Sequence, residues 1–235
     1  MLRELLSLFR SSDAIARMGA DFSEMLAVSR ELAVRAGRTF FGENDGKDER
    51  HEIAKRDIAI NKLERSIRKQ VIAHLTLASD TRDVPYCLLL MSIVKDVERI
   101  GDYAKNLAEV HPEGGAAIPD DQLGGELREI RSIIESAFAE VNVVFATSNS
   151  RAAAELITRG RAVNRRCDAL IAAIARSDYD AATTTSLVLG ARYYKRIGSH
   201  LLNVLSGVVM PLHKLDYYDE DVLVSGGAES DSEDD

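Results

Sequence analysis

A chain of 235 residues with 46% apolar side chains is long enough for one sizeable core or two smaller ones. The net charge of −8 is confined to one end: nine of the 38 Asp and Glu residues follow Leu215, where there is no Lys or Arg, so 29 face the 30 basic residues of the rest. A near-neutral body argues against a protein-wide electropositive footprint for nucleic acid and leaves only a local patch open. No run of about 18 apolar residues occurs, so stable insertion in a membrane is not expected.

Four prolines, no tryptophan and abundant Ala, Leu, Ile, Arg and Glu favour an all-helical protein. Met1–Arg10 lacks a signal-peptide cleavage pattern, and its Leu2, Leu5, Leu6, Leu8 and Phe9 form an apolar face expected to dock on the protein itself. A first helix is expected from about Ser12 to Phe40, ending before the Gly42–Gly46 loop. A second runs from about Asp48 to Ala78, with Ile53, Ile60, Leu63, Ile67, Val71 and Leu75 on one face. The third opens with Pro85 in its first turn and reaches about Val110, where His111-Pro112-Glu113-Gly114-Gly115 breaks it. The fourth is expected from about Pro119 to Ala146, interrupted early by Gly124-Gly125, and the fifth from Arg151 to Arg176. The sixth follows the Ser177–Asp180 turn and ends near Pro211. Short turns between long helices make antiparallel neighbours. Cys87 and Cys167 have no metal-ligand or redox-motif spacing and read as reduced, buried thiols.

The chain repeats itself. Val97-Glu98-Arg99-Ile100-Gly101-Asp102 in the third helix returns as Tyr194-Lys195-Arg196-Ile197-Gly198-Ser199 in the sixth, with Asn106 aligned to Asn203. Arg56 to Glu64 in the second helix pairs with Arg159 to Cys167 in the fifth. Two copies of a three-helix unit account for both matches. Gly101 and Gly198, each costing about 1 kcal/mol relative to alanine inside a helix, are expected to let neighbouring helices approach closely.

Asp57, Asn61 and Glu64 fall at i, i+4 and i+7, on one face of the second helix. Glu98 and Asp102, one turn apart on the third, repel each other unless something compensates them. Four carboxylates and an amide converging on one groove suit a hard divalent ion such as Mg, Mn or Fe. The alternative is an ion-pair network with Arg56, Arg65 and Arg99. In the second copy Asp57 becomes Gly160, Glu64 becomes Cys167, Glu98 becomes Lys195 and Asp102 becomes Ser199. The anionic chemistry is gone, while Asn164, Arg196, Gly198 and Asn203 remain. This half reads as scaffold or partner surface. His200, beside Lys195 and Arg196, is expected on a solvated face, and His51 is a candidate to approach the carboxylates. No glycine-rich phosphate loop, nucleophile elbow or HExxH is present.

Glu98-Arg99-Ile100-Gly101-Asp102-Tyr103-Ala104-Lys105-Asn106 closely resembles the signature helix of the PhoU family, regulators of phosphate uptake. The resemblance implies an all-α fold of two tandem three-helix bundles, over residues 1–112 and 113–215; residues 216–235 lie beyond it, and their acidic, glycine-containing composition is that of a disordered tail. It implies a cytoplasmic, non-enzymatic negative regulator of phosphate metabolism, acting by contact with a phosphate transporter and a sensor histidine kinase, often as a homodimer. Some relatives hold metal with a Glu/Asp-x-x-x-Asp motif, which Glu98 and Asp102 match. The competing reading is a metal-dependent enzyme built on the acidic groove of the first copy. A DNA-binding regulator is disfavoured, since no helix-turn-helix with a basic recognition helix is visible.

Overall fold

Apolar residues at three- and four-residue spacing build every helix, and in α3 (Val84–Glu109) the stripe widens until the helix is buried on most sides. The structure, a computed structural model, describes residues 13–44, 47–77 and 81–215. Before α3 come α1 (Asp13–Phe40) and α2 (Lys47–Leu77); after it come α4 (Gln122–Thr147), α5 (Ser150–Ile174), α6 (Ala181–Val209) and a 3-10 turn at Leu212–Lys214. Among the described residues there is no strand, and no helix is long and apolar enough to cross a membrane. The apolar face predicted for Met1–Arg10 and the acidic segment 216–235 lie outside the described residues.

Helices α1, α2 and α3 pack on one another as one triad, and α4, α5 and α6 as a second. The triads join where α3 lies against α6 and α1 against α4. One continuous apolar core, from Met18 and Phe22 to Leu205 and Val208, runs through both. Phe22 of α1 meets Phe145 of α4 with ring centroids 4.7 Å apart. At the other end of α1, Phe40 enters a notch at Gly190 of α6, where a Cβ would lie 2.5 Å from its ring. Such burial of large side chains supplies about 25 cal/mol per Å² of apolar area removed from water.

The helix ends follow their caps. Asp121 accepts from the backbone N–H groups of Leu123 and Gly124, so α4 starts at Gln122 and not at Pro119. Gly124 and Gly125 do not interrupt it: Gly124 sits inside the helix because the Pro119 carbonyl lies where its Cβ would be, at 1.9 Å. Ser148 ends α4 in the left-handed conformation, and Asn149 caps α5. Asp180 caps α6 through Thr183 N. At α3, Asp83 makes no cap bond and instead meets His74 Nε2 at 2.6 Å, tying the last turn of α2 to the start of α3.

Candidate functional site

The polar face shared by α2 and α3 carries the carboxylates singled out in sequence. Asp57, Asn61, Glu64, Glu98 and Asp102 are all half-buried. Three of them influence one another: burial raises the Asp57 carboxyl above its ordinary value, Lys105 opposes the rise, and the charges of Asp102 and Glu98 add to it. The carboxylates other than Asp57 are compensated by cations of their own helices. Glu98 accepts from Lys95 Nζ at 2.8 Å and lies 3.7 Å from Arg99 Nε; Asp102 accepts from Arg99 Nη1 at 2.6 Å. Glu64 is paired along α2 with Arg68 at 3.0 Å.

Of the arginines expected to neutralise this face, Arg99 does so. Arg56 turns instead to Glu31 of α1 and to Glu52, at 3.1 and 2.7 Å, and Arg65 and His51 are exposed. Among the described residues no group of three or more His, Cys, Asp and Glu is gathered closely enough to hold a metal ion. The donor chemistry suits a hard cation, but the geometry is that of an ion-paired ladder. A divalent ion would have to draw Glu98 and Asp102 away from Lys95 and Arg99.

The equivalent face of the second triad carries a neutral hydrogen bond and an ion pair. Asn164 Nδ2 donates to Ser199 Oγ at 3.1 Å, and Lys195 Nζ turns to Asp168 at 2.6 Å. Cys167 is fully buried, and burial pushes its thiol up to about 12. The close helix approach in this triad is made by Gly160 and not by Gly198. A Cβ on Gly160 would fall 2.4 Å from Leu202 Cδ2, whereas one on Gly198 would meet only ordinary contacts. In the first triad Gly101 does take the expected role, with Ile60 Cδ1 3.0 Å from its Cβ position. An apolar cavity of about 30 Å³, lined among others by Ile134, Val163, Gly160, Gly198 and Leu202, lies beside Gly160, the counterpart of Asp57, but is not lined by Cys167, Lys195 or Ser199.

Two polar junctions between the triads were not anticipated. Asp96, on the otherwise apolar side of α3, accepts from His200 Nδ1 at 2.8 Å and from Asn203 Nδ2 at 2.7 Å. The ring of Tyr103 stacks on His200 with centroids 5.6 Å apart. His200 therefore faces α3, correcting its expected place on a solvated surface: it lies on the side of α6 that packs against the first triad. The available signal was an Asp set between Val94 and Val97 in a buried stripe. At the far end of the joint, Arg131 of α4 bridges Glu43 and Glu135, with its guanidinium 5.0 Å above the Phe41 ring.

Comparison with known proteins adds the following. The PhoU domain model matches residues 22–110, from Phe22 in α1 to Val110 after α3. The crystal structure of PhoU from Pseudomonas aeruginosa superposes with a TM-score of 0.74 at 20% identity, covering 83% of this chain and 95% of that one. PhoU from Streptococcus pneumoniae, a phosphate transport system regulatory protein, superposes with a TM-score of 0.71 at 18% identity, covering 83% and 92%. At these identities the likeness is one of fold. Its extent carries the fold through the second triad, beyond the residues that the domain model matches. No curated protein matches the chain in sequence.

Proposed function

We propose that this chain, which belongs to the PhoU family through its domain at residues 22–110, regulates phosphate transport by contact with other proteins. The domain match to the α1–α3 triad is the observation that carries this reading. The proposed partners are a phosphate transporter and the sensor histidine kinase that reports on phosphate supply, contacted from the cytoplasmic side by a homodimer. The regulation is negative and needs no catalytic step. Apolar side chains left on the outer faces of α2 and early α3 support a contact surface: Ile58, Ile72, Leu77 and Leu88 are exposed by 51, 60, 84 and 48%.

The test is cross-linking in intact cells followed by co-purification and identification of bound proteins. Recovery of a phosphate transporter or a sensor kinase, reduced when Ile58 and Ile72 are changed to Glu, is the expected result. Recovery of neither would remove the reading.

A second reading concerns a divalent ion on the α2–α3 face, and Asp57 favours it. A carboxyl raised by burial and by two neighbouring carboxylates is the group that a bound cation would relieve. Asp57, Glu98 and Asp102 would hold such an ion, with Asn61 and Glu64 on the same face of α2. The ion would act as a structural clamp on the triad, which is compatible with regulation; an enzyme would also need an open coordination position.

A further inference from the structure

Between α1 and α4, on the outside of the joint, runs a groove of about 770 Å³. Its floor is apolar: Leu26 and Phe138 are buried, and Val143 is 62% exposed with nothing over it among the described residues. Its rim carries four arginines and one carboxylate, Glu31. Arg30 and Arg38 stand two turns apart on α1 with Val34 between them, and Arg38 also acts electrostatically on Glu43. Arg35 and Arg56 also border it, paired to Glu49 and to Glu31 and Glu52. An apolar trough edged with arginines calls for an occupant that alternates acidic and apolar groups.

This chain contains such a segment. Residues 216–235 carry nine Asp and Glu and no Lys or Arg, and their first half interleaves Asp216, Asp219, Glu220 and Asp221 with Tyr217, Tyr218, Val222 and Leu223. We propose that this acidic segment lies in the α1–α4 groove of the same molecule, its carboxylates against Arg30 and Arg38 and its apolar side chains over Phe138 and Val143.

Ser150 Oγ meets the Val208 carbonyl at 3.5 Å, so the end of α6 is beside the start of α5, and the chain then turns at Leu212–Lys214 against α3 before the segment begins at Asp216. From Ser150 back to Val143 is seven residues, about 10 Å along helical rise. The twenty residues after Leu215 span up to about 66 Å when extended, so reach is no obstacle. An intramolecular ligand also needs little intrinsic affinity, because tethering holds it at an effective concentration of about a millimolar. The inference stands apart from the proposed phosphate function, since it concerns only contacts within the chain.

The test uses the full-length protein. Ser225→Cys carries a nitroxide, while Cys87 and Cys167 are shielded by burial, which pushes their thiols up to about 11 and about 12. Backbone amide signals of residues 26–38 and 138–143 are expected to be lost selectively. They should return in Arg30→Glu/Arg38→Glu, whose fold is checked by circular dichroism, and at about 1 M salt, where the screening length is ~3 Å. Spin-labelled chain mixed with isotope-enriched unlabelled chain should leave the enriched signals intact. Loss in that mixture would place the segment on a second copy. Loss along the Lys62, Arg65 and Lys69 face of α2 would place it elsewhere, and an even effect over the surface would mean no docking. Each of these three outcomes overturns the proposal.

Discussion

Asp96 and His200 are 104 residues apart in the chain and 2.8 Å apart in space, and their bond joins the two triads where α3 crosses α6. Asn203 gives the same Asp96 oxygen a second donor. The joint is therefore polar at one point inside an apolar seam. A buried acceptor with two satisfied donors fixes the register of one triad on the other more sharply than apolar contact does.

Removing the acceptor leaves two donors without a partner. Asp96→Ala is expected to lower stability by about 2 kcal/mol. Asp168→Ala removes the partner of Lys195 on the outer surface and is expected to cost under about 0.5 kcal/mol. Denaturant unfolding of both variants compares them directly. Equal losses would mean that the Asp96 junction carries no special weight.

The asymmetry between the copies makes a second prediction. Gly160 stands where the first copy has Asp57, and Leu202 occupies the space a side chain would need. Leu202 is itself 3% exposed. Gly160→Asp is expected to destabilise by about 1–3 kcal/mol through overpacking, before any cost of burying charge. Asp57→Gly is expected to stay within about 1 kcal/mol of wild type, because the helix penalty of glycine is offset by removal of a desolvated carboxylate. Thermal unfolding of the two reciprocal variants decides it, and a tolerated Gly160→Asp would contradict the packing.

How much of this was legible in sequence follows from these same residues. Six helices, their order and the two copies were readable, because periodicity and repeated motifs are local properties. Asp57, Glu98 and Asp102 were readable as neighbours, since two faces and one packing assumption bring them together. Their cation partners were only partly so. Arg99 lies on the same helix as Glu98 and Asp102, whereas Arg56 leaves for Glu31 on α1, a choice settled by tertiary packing. The Asp96–His200 bond depends on which side of α6 meets α3, and no spacing within one helix encodes that. Gly198, which matches Gly101 in sequence, makes no tight contact, because the second triad moved its close approach to Gly160.

Asp57 also sets a pH dependence. Its carboxyl is raised from the ordinary 3.8 by burial, with Asp102 and Glu98 adding to the shift. A raised folded value means that ionised Asp57 opposes folding above that value, and that the cost fades as pH falls toward 3.8. Asp57→Asn is thus expected to melt higher than wild type at pH 7 in metal-free buffer, with the gap closing below pH 3.8. A lower melting temperature at pH 7 would show that the carboxylate is compensated.

Saturating Mg²⁺ or Mn²⁺, or Fe²⁺ without oxygen, followed by dialysis against a weak chelator and elemental analysis, tests the divalent ion. If an ion binds on this face, metal is retained in wild type, lost in Glu98→Ala/Asp102→Ala and kept in Lys195→Ala/Ser199→Ala. Metal-free wild type would leave the carboxylates as partners of Lys95, Arg99 and Arg68, and would end the enzyme alternative without touching the regulatory one.

Regulation of phosphate transport is tested most directly by phosphate uptake in the source cell, grown with ample phosphate, with and without the gene for this chain. Loss of the gene is expected to raise uptake, and the wild-type chain supplied in trans to restore it. Uptake unchanged by the deletion would contradict the assignment.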